Sequence, residues 1–284
     1  VPISIHSTNP DDFSNLAKHA YSVVGSIHTK KFDVVLKAPY LRESFVRKGV
    51  SVSSIIANTL PNTFVLALTS MSFALVLGIS FGLVCALYEH KFIDQFLSST
   101  AVFGMALPSF FSAIIIAWLF GYVYQKHTGL SMTGSLYAVD DYGSGETLIL
   151  KNLVLPAFTL GIRPLAVVLQ LTRNSILDTL QEDYIRTARA KGLSNFRVLI
   201  FHALPNALNP VITAASGWLA SMLAGAVFVE FIFGWNGIGK EIVYALDYLD
   251  LPLVMGAVLT LSICFVFITI FTDVLYYILD PRIK

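Results

Sequence analysis

YIRTARAKGLSNFRVLIFHALP, residues 184–205, is a polar, basic stretch set between long apolar runs. It holds Arg186, Arg189, Lys191 and Arg197, with Gly192 and Pro205 as punctuation. Ala188, Ala190 and Gly192 are small enough to let another surface approach closely. The arginines can pair with acids on a partner. Gly192 can end a helix, because it takes left-handed geometry without strain. Pro205 suits the first turn of the next helix. The stretch reads as a partly helical loop that docks onto another protein; the plainer alternative is a solvated basic loop beside a membrane.

The rest of the chain supplies that membrane. Of 284 residues, 55% are hydrophobic and only 13% charged, with mean hydropathy +0.70. A soluble domain carries roughly 25% charged residues, so an all-α polytopic membrane protein is expected, with the lipid bilayer as its surroundings. A net charge of +1 gives no electrostatic reason to expect nucleic acid. Cys85 and Cys264 both sit in apolar runs and read as small buried hydrophobes. The six histidines show no metal-ligand spacing, so no metal site is expected. Residues 1–20 contain no apolar core of signal-peptide length, and the Val1 start reads as a processed or truncated end.

Residues 1–60 mix cations and aromatics and read as a soluble segment of short helices and loops. Five spans are visible beyond it, over 62–88, 95–125, 153–172, 206–229 and 254–279. Pro61 is placed at the start of the first. Pro108 predicts a kink or break in the second, and Arg163-Pro164 interrupts the third. Gly78 and Gly82 form a GxxxG pair, while Gly217, Ser221 and Gly225 repeat every four residues as a seam for helix contact. Residues 126–152 read as an exposed loop, and 230–252 as a re-entrant or interfacial segment. The short loops place 173–205 inside, but the total charge does not decide orientation.

Among motifs, GWNGIGKE at 234–241 nearly matches a phosphate-binding loop, but Glu241 stands where a hydroxyl residue would bind magnesium. A glycine-rich turn between membrane segments is the better reading. No nucleophile elbow appears. Arg163 is a cation in mid-span, where charge is costly and faces a cavity or a partner. Gln170 and Asn174 share its helix face, so a polar stripe could line a path for an anionic or carboxylate-bearing substrate. A structural pairing with another helix, or snorkelling, is the alternative. Arg173 and Asp273 could pair if both chain ends lie on one side.

Residues 184–205 resemble the signature loop of binding-protein-dependent ABC importer permeases. The family pattern is Glu-Ala-Ala, three residues, Gly, nine residues, Ile, one residue, Leu-Pro. Here Arg186-Thr187-Ala188 stands at the first position, Gly192 is in register, His202 replaces Ile, and Leu204-Pro205 closes the pattern. LTRNSILDTLQEDYIRTARAKG at 171–192, VFVEFIFGWNGIGKEI at 227–242 and DVLYYILDPRIK at the end look like the peptide and nickel branch. The likeness covers nearly everything after residue 50. That branch has six spans, and its first is not visible here.

The resemblance implies a type I importer fold. Residues 1–60 would be an extracytoplasmic segment, and 61–284 a permease domain in the bacterial inner membrane with a cytoplasmic coupling loop at 174–205. It implies a second homologous permease subunit, two cytoplasmic ATPase subunits and an extracytoplasmic substrate-binding protein. ATP and magnesium would bind the ATPases and no cofactor this chain, which would then be no enzyme itself. Arg186, Thr187, Ala188, Arg189, Lys191, Gly192, Leu204 and Pro205 would form the ATPase contact. Peptides, nickel chelates and glutathione remain open as substrates. The competing readings are a membrane-embedded enzyme using Arg163 and an ion-coupled secondary transporter.

Overall fold

A computed structural model of the chain describes residues 3–7, 23–28, 32–37, 41–139 and 145–279, with side chains from residue 41 except at Glu146, Ala224, Asp273 and 275–279. The first long helix, α1 (Val52–Leu87), begins where Ser51 is extended and its hydroxyl accepts the Ser54 N–H at 3.2 Å. Its 36 residues reach about 54 Å, well beyond a hydrocarbon core of about 30 Å. The expected start at Pro61 is therefore corrected: Pro61 lies inside the helix. Buried Val52, Ile55, Ile56 and Thr59 hold the first turns by packing, which offsets the backbone bond that Pro61 cannot donate.

Helix α2 (Phe92–Ala106) is followed by α3 (Ser109–Trp118), which runs on through a wide π turn, Leu119–Val123. Leu107 and Pro108 are both extended, and the axes differ by 109°. The residue before proline is pushed out of the α region, so the expected break at Pro108 is a sharp fold-back. A short turn α4 (Gln125–Thr128) ends at left-handed Gly129, and β4 (Tyr137–Val139) pairs antiparallel with β5 (Glu146–Leu148).

Helix α5 (Lys151–Thr179) is continuous. Arg163-Pro164 does not interrupt it, contrary to the expectation from sequence; Pro156 and Pro164 are both buried within it. Of the apolar window of α5, 61% is buried, against 17% for the last helix, α11 (Leu251–Leu279). Thus α5 is the central post, and much of α11 faces outward. The GxxxG pair explains how α5 is gripped. A Cβ at Gly78 would lie 2.7 Å from Val168 Cγ1, and one at Gly82 would lie 2.7 Å from the Leu169 carbonyl oxygen. Gly161 of α5 approaches the Ser70 carbonyl in the same way, at 2.9 Å. These parallel helices touch nearly backbone to backbone, the contact that small residues permit in lipid.

After α5 come α6 (Asp183–Ala190), a short turn α7 (Asn195–Arg197), a π turn Val198–Ala203, and α8 (Leu204–Ala207). Helix α9 (Asn209–Phe233) crosses back, and the amphipathic α10 (Ile238–Asp247) leads into α11. Among the described residues three helices are long and apolar enough to cross a membrane, and two bent pairs bring the number to as many as five. The interfacial reading of 230–252 resolves into the end of α9, a tight turn and α10.

Residues 1–60 differ from expectation. β1 (Ile3–Ser7), β2 (Val23–His28) and β3 (Phe32–Lys37) form an antiparallel sheet in the order β1-β3-β2, with Ile3 opposite Leu36. Where short helices and loops are expected, the described stretches VVGSIH and FDVVLK are strands, which their β-branched residues favour; residues 8–22, 29–31 and 38–40 lie outside the described residues. Lys18, Lys30 and Lys31 lie outside the described residues.

Candidate functional site

At one end of the bundle α5 runs past the expected span limit at Thr172 and turns at Leu180–Glu182 into α6. α6 is sharply two-faced. Ile185 and Ala188 are buried against Ile176, Val198, Leu199, Ala203 and Ala207, while Arg186, Thr187, Arg189 and Ala190 are exposed. Burial of Ala188 against its own chain corrects the expectation that it faces a partner. A cationic face is left, with Lys191 and Arg197 exposed beside it. Arg186 Nη1 donates to Asp183 Oδ1 at 3.3 Å, but both side chains are mostly solvated. Such a pair contributes little and leaves the guanidinium free to find another acid.

Gly192 ends α6 with φ +78°. Its N–H donates to the Arg189 carbonyl at 2.9 Å, and the Leu193 N–H reaches the Ala188 carbonyl at 3.4 Å. This is a Schellman ending, and Leu193 completes it by packing on the cluster of Ile185 and Ala188. A Cβ at Gly192 would meet nothing within 4 Å, so glycine is required by backbone conformation and not by space. Leu204 packs on the same cluster, and Pro205 lies in the first turn of α8, exposed. Phe196 and Phe201 are 69% and 68% exposed on this end. Sequence reading missed both; aromatics flanking a basic loop are a signal, since exposed Phe beside Arg suits an interface.

A buried ion pair ties this end together. Arg173 donates from Nε to Asp94 Oδ1 and from Nη2 to Asp94 Oδ2, each at 2.7 Å. Asp94 also accepts the His90 N–H at 3.0 Å. Among the described residues Arg173 pairs with Asp94; the side chain of Asp273, its expected partner, lies outside them. The pair fixes the end of α5 to the first turn of α2.

The opposite end explains GWNGIGKE. Glu230, fully buried, directs Oε2 at the N–H groups of Gly239 (2.7 Å) and Lys240 (3.3 Å), in the first turn of α10. A carboxylate suits the positive end of a helix. A Cβ at Gly237 would collide with that carboxylate, and one at Gly239 with the Val227 backbone at 2.5 Å and then with Glu230 Oε2 at 2.8 Å. Gly234, at φ +66°, gives α9 a second Schellman ending. Trp235 is fully buried, and its Nε1 donates to the Asn62 carbonyl at 3.1 Å; the Ile238 N–H donates to Thr63 Oγ1 at 2.9 Å. The motif is thus a structural corner packed on the overshooting start of α1.

Arg47 Nη2 pairs with Glu241 at 2.7 Å, and Asp250 accepts from Ser44 Oγ and from the Phe45 N–H at 3.1 Å. Burial pushes the Asp250 carboxyl up, but the hydrogen bonds from Ser44 and the backbone of Phe45, Leu253 and Val46 outweigh it and hold it below the usual range. A depressed folded value means this clamp is in place above that range and is lost as pH falls through it.

Arg163 is exposed in mid-helix and lines a small cavity with Ser109, Trp218, Ser221 and Gly225. Gln170 is half-buried and does not line it. Gly217, Ser221 and Gly225 are exposed, and a Cβ at Gly217 or Gly225 would meet nothing within 4 Å. The expected seam is therefore not used among the described residues of this chain. No group of three or more His, Cys, Asp or Glu among the described residues could hold a metal.

Comparison with known proteins agrees with this architecture. The family model for the binding-protein-dependent transport system inner membrane component matches residues 78–284. The oligopeptide transport system permease protein AppB of Bacillus subtilis (strain 168) is 38% identical over 242 residues, covering 85% of this chain and 75% of that protein. The dipeptide transport system permease protein DppB of Escherichia coli (strain K12) is 34% identical over 238 residues, covering 78% and 70%. Among solved structures, the MetNI methionine ABC transporter in an inward-facing conformation aligns with TM-score 0.62 at 15% identity, over 81% of this chain and 98% of that one. An amino acid ABC transporter aligns with TM-score 0.59 at 13% identity, over 79% and 94%. At such identities the structures speak for the fold. With more than half its length matched and relatives above the level of chance over most of both chains, the protein belongs to the family of binding-protein-dependent transport system inner membrane components.

Proposed function

We propose that this chain is the membrane-spanning subunit of an ATP-driven importer that takes peptides from an extracytoplasmic binding protein. In this reading α6 to α8 face the cytoplasm and seat on an ATPase subunit. A second, homologous permease covers the outward faces of α9 and α11. Residues 41–51, 126–139, 145–150 and 234–250 then lie on the receiving side. The relatives named as peptide permeases support the substrate class. The observation that carries the coupling role is the two-faced α6, with Ile185 and Ala188 anchored in the bundle and Arg186, Arg189 and Lys191 presented outward. Force applied to that face reaches α5 through one short turn.

Gly192 provides the test. A non-glycine residue in the left-handed region costs about 1–2 kcal/mol, less for Asn and more for a β-branched side chain. Gly192→Asn should keep most peptide uptake in reconstituted vesicles, Gly192→Ala should lose part of it, and Gly192→Val should lose about tenfold or more. Equal amounts of chain in the membrane would show that insertion is intact. Undiminished ATP-driven uptake by Gly192→Val would contradict the coupling role.

A further inference from the structure

Arg163 lies about 18 Å along α5, near the middle of its length. The helix buries most of its surface, yet this guanidinium is exposed, and among the described residues it has no ion pair or hydrogen bond. No acidic residue lines its cavity. Ser109 and Ser221 do line it, and neither hydroxyl has a hydrogen-bond partner among the described residues. The surface of α9 beside the cavity is small and polar: Thr213, Gly217, Ser221 and Gly225 are all exposed. A lone cation at this depth is costly unless it meets water or an anion. Lipid offers neither, and the polar face of α9 gives hydrocarbon little to pack on.

We infer that Arg163, flanked by the Ser109 and Ser221 hydroxyls, is a subsite for the carboxylate of the substrate as it crosses. The guanidinium fork donates two parallel hydrogen bonds to a carboxylate, and the hydroxyls donate to its remaining lone pairs. The cavity is small and opens beside the exposed face of α9, along which the rest of the substrate lies. Low dielectric at this depth strengthens the contact. The alternative occupant is an acid of the partner permease. This inference rests on the importer reading and adds the chemical group recognised in the membrane.

The test uses the assembled permease–ATPase complex with Cys85→Ala, Cys264→Ala and Gly225→Cys, a cavity-lining position where a Cβ meets nothing within 4 Å. The rate of maleimide labelling of the new thiol is measured with alanylalanine, with its C-terminal amide, or with neither. Alanylalanine should slow labelling about tenfold, the amide should not, and adding Arg163→Gln should remove the protection. Equal protection by both peptides, protection that survives Arg163→Gln, no protection by alanylalanine, or a thiol closed to the aqueous reagent would each overturn the subsite. A second measurement uses the otherwise native chain. Arg163→Gln should cut uptake turnover about tenfold at unchanged KM for loaded binding protein, with Arg163→Lys restoring part of it. Native turnover in Arg163→Gln, or loss expressed only as a smaller yield of complex, would also overturn it. A native complex without ATP-driven uptake would instead count against the importer reading.

Discussion

The double charge reversal Arg186→Glu/Arg189→Glu is expected to leave the chain in the membrane and separate it from its ATPase. Both side chains are exposed on α6, outside the face that buries Ile185 and Ala188, so their replacement removes no buried contact. Arg186 has a solvated local partner, Asp183, and losing that contact costs little. An interface is different. Closely apposed charge pairs between proteins contribute on the order of 1.5–7 kcal/mol, and reversal turns attraction into repulsion. Two such changes should weaken ATPase association about 100-fold or more. Affinity capture from detergent, followed by quantitation of the ATPase chains, reads this directly. Arg186→Lys/Arg189→Lys should retain much of the binding, since the charge persists without the planar fork. Full recovery of ATPase with the double reversal would mean that α6 does not carry the contact.

The second large effect is expected at Asp94. Arg173 is about one-fifth exposed and its partner only 5%. Asp94→Asn removes the charge and leaves the mostly buried guanidinium without its mate. Breaking a buried pair in this way costs about 3–5 kcal/mol, whereas replacing both partners with apolar groups can be nearly neutral. Thermal unfolding of the purified complex should therefore show a large loss for Asp94→Asn. Asp94→Leu/Arg173→Met should be more stable than either single change. The consequence for transport follows from position. The pair fixes the end of α5, and α6 hangs from that end. Single changes should also lower uptake per assembled complex. A single change that left both unfolding temperature and uptake untouched would show that this end is held by packing alone.

Much of the bundle was legible because lipid imposes a simple rule: uncharged runs long enough to cross must be helices. The five apolar segments were therefore found, and Gly78 and Gly82 proved to be a true helix contact. Element limits were less legible. The start of α1 at Val52 depends on the Ser51 cap and on packing beyond the bilayer, which hydropathy does not report. Arg163-Pro164 was overread as an interruption, because a proline well inside a packed membrane helix can be absorbed. The angle at Pro108 was not legible either; proline predicts a break, and the neighbours set its size.

At the site, the spacing from Arg186 to Pro205 was readable, and so was the helix ending at Gly192. Which face of α6 pointed outward was not, and Ala188 was placed on the wrong one. The Arg173–Asp94 pair joins residues 79 positions apart, beyond any local spacing rule. Glu230 escaped notice because a single acid near a helix end gives no sign of the loop it will hold. Its cause was nevertheless written in Gly237 and Gly239, whose lack of a side chain makes room for the carboxylate.

The most direct test of the account is to place a photo-crosslinking amino acid at Ala190, which is exposed on the outer face of α6. Illumination of the complex in a bilayer should join this chain to the ATPase subunit. Crosslinks formed only with lipid, or with the extracytoplasmic binding protein, would contradict it.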